Sequence, residues 1–261
     1  MKTLKYIFLA IMFFTLIKVN AQNRKTSNQW FDSYIEYCKF DTKEYKDELN
    51  HFDFASLFLN TPTGAIFGVI GDEMQRIRMK LISVNKDPYN PDSYYVYGKS
   101  NVKGNVCEYT GIIKIKTIRL YQKDGFDMPY RSTVNPQKIG VLFCDYILAE
   151  NKEQKHTGVF KGISATEFYI NNDTLFYNNL RNRADDFTNN QFVGIWENYD
   201  NQNSRICNWG DYRIPEVYGF DCGAAQFAPC SEFFDYGWAD YYKAIFHNDT
   251  EAAKREYFKW W

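Results

Sequence analysis

The densest run of chemically capable side chains is Cys207-Asn208-Trp209-Gly210-Asp211-Tyr212-Arg213-Ile214-Pro215, followed by Glu216 and by Asp221-Cys222-Gly223. Asp211, Glu216 and Asp221 could supply the paired carboxylates of glycoside hydrolysis, provided the fold sets their separation. Trp209 and Tyr212 beside Asp211 and Arg213 offer a second use. Flat apolar faces with polar ends suit a sugar or a protein surface. The third use is structural: a corner in which Arg213 pairs internally and Trp209 fills core. Trp209, Asp211, Tyr212 and Arg213 are therefore the candidate ligand- or partner-binding residues, and no residue is assigned a catalytic role.

Other motifs exclude more than they offer. Gly98-Lys99-Ser100 resembles the end of a phosphate loop, but Ser93 stands where that loop needs glycine, and no helical pattern follows. His51, His156 and His247 are far apart and no C-x-x-C is present, so neither a metal site nor a cofactor is implied. The basic row Arg76, Arg78 and Lys80 alternates with Ile77, Met79 and Leu81, which reads as the solvated face of a half-buried strand. A formal charge of −1, from 31 basic and 32 acidic side chains, argues against a nucleic-acid partner.

Residues 1–21 read as a signal peptide. Lys2 and Lys5 precede the apolar stretch Tyr6 to Ile17, and Val19-Asn20-Ala21 offers a small-residue cleavage site, so the mature chain is expected to begin at Gln22. That stretch falls short of the roughly 20 residues a membrane span needs, and no other apolar run is longer. The expectation is an exported protein, periplasmic or extracellular, with no membrane span in the mature chain. All six cysteines lie beyond the cleavage site, where disulfides are permitted. Cys222 and Cys230 are the expected pair, because Gly223 and Pro229 help the loop between them turn back. The pairing of Cys38, Cys107, Cys144 and Cys207 stays open.

Periodicity supplies the elements. Trp30, Phe31, Tyr34, Ile35 and Cys38 recur at helical spacing within a polar segment, 22–50. From 51 to 232 the dominant period is two. Tyr94 to Val102 and Asn105 to Leu120 read as a hairpin turning at Lys103-Gly104. Ile113 and Ile115 share one parity, Ile118 and Leu120 the other, so a bulge is expected near Lys116-Thr117. Further strands are expected over 140–148, 157–170, 175–177, 191–199 and 204–214. Glycine followed by apolar residues recurs at Gly68, Gly111, Gly158 and Gly194, consistent with a curved antiparallel sheet. Residues 233–261 carry eleven aromatic side chains in a helical pattern, enough that they must cover the sheet or a partner. The fold class expected is mainly β: an antiparallel curved sheet or barrel with flanking N- and C-terminal helices.

Phe192-Val193-Gly194-Ile195-Trp196-Glu197-Asn198-Tyr199 resembles the G-x-W strand of lipocalin-like (calycin) barrels. The resemblance covers this one strand, implies a barrel, and carries no ligand-binding residue over. The wider layout is similar to uncharacterised exported bacterial β-rich proteins, which implies no activity. The functional expectation is an exported non-catalytic protein, either a ligand-binding barrel or an inhibitor of another exported protein. Its partner would be a small molecule, a glycan or an exported protein. The alternative is a secreted hydrolase acting on envelope or extracellular glycans through paired carboxylates.

Overall fold

The computed structural model describes residues 24–129, 132–200 and 203–261; the segment 1–21, read as a signal peptide, lies outside them. Among the described residues one antiparallel sheet holds β1 (Ile66–Ile70), β2 (Gln75–Arg76), β3 (Arg78–Lys86), β4 (Ser93–Val102) and β5 (Asn105–Leu120). It continues through β6 (Lys138–Glu150), β7 (Gly158–Asn171), β8 (Thr174–Tyr177), β9 (Asn189–Asn198) and β10 (Ser204–Asp211). Strands β3 to β7 follow one another as neighbours, β9 and β10 come next, and β10 pairs with β1. β8 folds back on the far end of β7.

The ring then closes over a short stretch. β1 pairs with β2 at Val69–Arg76 and Ile70–Gln75, and the Ile77 N–H donates to the Gly68 carbonyl at 3.0 Å. Beyond Ile77 the same run is β3, paired with β4 instead. The protein is thus mainly β, a curved antiparallel sheet of calycin-like shape with helices at both ends of the chain.

Parity decides which side chains fill the interior. Tyr109, Ile113 and Ile115 of β5 face inward and are buried. The register then shifts, from Ile115 opposite Cys144 to Thr117 opposite Phe143, leaving Lys116 as the extra residue. That bulge keeps Ile118 and Leu120 inside despite their changed parity. All four recurring glycines lie on strands. A Cβ on Gly111 would stand 2.0 Å from the Ile147 carbonyl oxygen, so the bend between β5 and β6 needs glycine there.

Aromatic rings occupy the middle of the interior, with Trp209 stacked on Phe192 at 4.6 Å and meeting Tyr146 edge-on at 5.2 Å. Helices α2 (Lys46–Leu49) and α3 (Ala55–Leu59) stop one end of the barrel. Leu49, Phe54, Leu57 and Phe58 are buried in the same core, Phe54 lying 5.7 Å from Phe168. Helix α1 (Ser27–Tyr37) starts from a Thr26–Gln29 capping box and lays Trp30 on the outer face, against a cluster holding Val141, Phe143 and Ile163.

The C-terminal segment covers another part of the outer face. A 3₁₀ turn (Ser231–Tyr236), α4 (Ala239–Phe246) and α5 (Thr250–Glu256) follow each other, with Asp249 capping α5 through the N–H groups of Glu251 and Ala252. Trp238 and Tyr241 are buried with Phe67, Val69, Phe220 and Phe227. The Cys222–Cys230 disulfide, with a Cα separation of 5.1 Å, closes the loop leading into it. Cys38, Cys107, Cys144 and Cys207 are unbonded.

Two expectations need correction. The helical pattern does not run to the last residue: α5 ends at Glu256, whose backbone carbonyl accepts from Arg78 Nη1 at 3.0 Å. Residues 257–261 leave the helix, and Trp261 lies 5.5 Å from the Lys80 ammonium. Nor is the basic row solvated throughout. Arg76 is buried, because its guanidinium grips both oxygens of Glu256 beneath Trp238, whose ring is 4.7 Å away. Arg78 adds a second bond to Glu256 at 2.6 Å.

Candidate ligand site at the barrel mouth

With α2 and α3 stopping one end, the other remains open and holds a cavity of about 500 Å³. That volume falls within the range common for small-molecule sites. The connections at this end are the β1–β2 turn, the Lys103-Gly104 hairpin turn, the β6–β7 loop and the β9–β10 loop. Lys103 and Gly104 both adopt positive φ, 53° and 84°, the conformation of a tight hairpin turn.

Inward-facing residues nearest this end form the lining. Ile70, Ile77, Val102, Phe160 and Trp196 supply apolar wall. Lys103, His156 and Arg205 line it from exposed positions at the rim. Glu150, only 5 % exposed, is the single acidic residue among the described residues of the lining. It ends β6 on the inward parity of Leu142, Cys144, Tyr146 and Leu148, so the strand carries a carboxylate to the place where the next apolar residue would stand.

Three other strands converge on that carboxylate. Ser100 of β4 bonds Oε1, while Oε2 accepts from the Gly158 N–H of β7 at 3.0 Å and from Trp196 Nε1 of β9 at 2.9 Å. Burial raises the Glu150 pKa, and these three hydrogen bonds pull it back. Trp196 is the tryptophan of the G-x-W stretch, and its indole here fixes an acid at the cavity wall.

The structure disperses the residues singled out in the sequence. Trp209 is interior packing. Asp211 is buried elsewhere, bonded by Thr61, by Tyr177 Oη at 2.8 Å and by Asn190 Nδ2 at 2.8 Å. Burial pushes its pKa up to about 7. Tyr212, at φ 66°, lies 5.0 Å from Phe187. Arg213 pairs with Asp221 and donates to the Asp185 carbonyl, and it shares with Tyr212 a separate outer hollow of about 250 Å³. Glu216 accepts from Tyr218 Oη at 2.9 Å, so Asp211, Glu216 and Asp221 each have their own partners. The sequence alone sets aside Ser100 with the phosphate-loop motif, His156 as a metal ligand and Lys103 as a turn residue, and points to neither Glu150 nor Arg205. Parity along β6 was the available signal for Glu150.

A wider outer cleft, about 890 Å³, lies between α1 and the sheet. Among its acidic lining residues Glu167 accepts from Tyr34, Tyr121 and Asn178, and the positive charge of Arg181 already acts on it. No group of His, Cys, Asp and Glu able to hold a metal ion occurs among the described residues. No helix among them is long and apolar enough to cross a membrane. No protein-family model, curated protein or solved structure matches the chain.

Proposed function

We propose that this is an exported, lipocalin-like binding protein that takes a small amphiphilic molecule into the barrel mouth. The observation carrying this reading is the mouth itself: one end of the barrel is stopped by Phe54, Leu57 and Phe58, while the other opens into about 500 Å³. Apolar wall at Ile77, Val102 and Phe160 favours a hydrocarbon body by removing it from water. Lys103 and Arg205 at the rim favour an anionic head, which keeps its hydration while meeting positive charge. Export rests on the pattern of residues 1–21.

The test uses 1-anilinonaphthalene-8-sulfonate, an apolar ring system with one sulfonate. Fluorescence titration should give one saturable site per chain. Val102→Trp, which fills the cavity, should weaken it at least tenfold, and Lys103→Glu with Arg205→Glu should weaken it further as salt is lowered. Dye affinity unchanged by Val102→Trp in a normally folded variant would overturn the reading.

A further inference from the structure

The mouth is electrically sorted in a way that specifies its ligand more closely. An ionised carboxylate offers about four lone-pair sites. On Glu150 the Oε2 pair is taken by Gly158 and Trp196, and one Oε1 site is taken by Ser100. One acceptor site remains on a side chain that lines the cavity. Among the described residues no basic side chain forms an ion pair with Glu150, although its residue exposure is 5 %. A buried carboxylate without a counter-charge is unfavourable, and three donors stabilise its ionised form without neutralising it. At the rim the imbalance is reversed. Lys103 and Arg205 are exposed, line the same cavity, and enter no ion pair among the described residues.

Resting on the binding function proposed above, we infer that the ligand is amphoteric: a protonated amine reaches Glu150 inside, and an acidic group stays with Lys103 and Arg205 outside. The amine supplies one N–H to the remaining Oε1 site and the missing positive charge together. A neutral hydroxyl would supply only the first. A hydrocarbon spacer joins the two ends along Ile77, Val102 and Phe160. Polarity therefore fixes orientation as well as class, since the reversed ligand would set acid against Glu150 and amine against the rim.

The experiment is calorimetric titration of the full mature chain with unbranched ω-amino carboxylates of four to twelve carbons, and with the matching carboxylates lacking the amine. One chain length should bind best, at least tenfold tighter than its amine-free partner. Glu150→Gln should abolish that advantage. Because this variant removes a carboxylate that ties four strands, Ser100→Ala provides the second arm: it keeps the carboxylate, frees another acceptor site, and should retain or enlarge the preference. Equal binding of both series to the native protein would overturn the amine assignment while leaving the binding function standing. Failure of both series, together with failure of the sulfonate dye, would overturn both.

Discussion

At the scale of single residues, Asp211 illustrates how a side chain chosen for chemistry can serve the fold. Its carboxyl is fully enclosed, and burial lifts its pKa from 3.8 to about 7 against the opposing pull of Thr61, Tyr177 and Asn190. The sign of the consequence follows from proton binding. Between pH 3.8 and about 7 the native protein holds a proton that the unfolded chain releases, so this group's contribution is full below pH 3.8 and is lost as the pH rises to about 7. Urea denaturation at pH 4.5 and 7.5 should show native stability falling toward the higher pH, and Asp211→Asn should flatten that fall. Glu150 and Glu167, also raised by burial, leave the variant a residual slope. An equal slope in both proteins would contradict the assignment. None of this was legible along the chain, because Thr61, Tyr177 and Asn190 are distant in sequence and only the fold brings them to Asp211.

At the scale of elements, local rules carried the reading where each strand contacts its sequence neighbour. The Lys103-Gly104 turn has its glycine at φ 84°, and the turn from β7 to β8 places Asn172 and Asp173, residues that tolerate positive φ, at 49° and 54°. The Lys116 bulge follows from a change of parity that a strand cannot otherwise accommodate. What failed was Arg76, because its burial depends on a helix far along the chain. Tyr257, Phe258, Trp260 and Trp261 line a small hollow with Ile66 of β1 and Arg78 and Met79 of β3, the two strands that separate beyond Ile77. The tail thus covers the seam that sheet hydrogen bonding leaves unclosed, and Arg76, Arg78 and Glu256 fasten it. Removing one partner from a buried ion pair typically costs about 3 kcal/mol or more. Glu256→Ala should therefore lower the melting temperature by roughly 10 °C in a chain of this size. Deleting residues 249–261 should lower it at least as far. Calorimetry of both variants checks this, and an unchanged melting temperature would mean that the tail is held elsewhere or only loosely.

For the whole molecule, aromatic abundance and binary patterning made the mainly β architecture readable, while the site emerged only with three-dimensional closure. Glu150, Trp196 and Arg205 belong to three different strands and Lys103 to the β4–β5 turn, and only rolling the sheet assembles them around one cavity. The proposed function puts the ligand in this cavity, and in neither the outer cleft beneath α1 nor the hollow under the aromatic tail. A two-dimensional ¹H–¹⁵N titration of labelled chain 22–261 with 1-anilinonaphthalene-8-sulfonate distinguishes these places. Trp196 Nε1–H and the Gly158 amide both end on Glu150 and act as reporters inside the mouth. Saturable shifts are expected at these two signals and at Lys103, with Gly125 in the outer cleft and Trp261 in the tail unmoved. Saturable shifts confined to Gly125 or Trp261, with Trp196 and Gly158 unmoved, would contradict that placement.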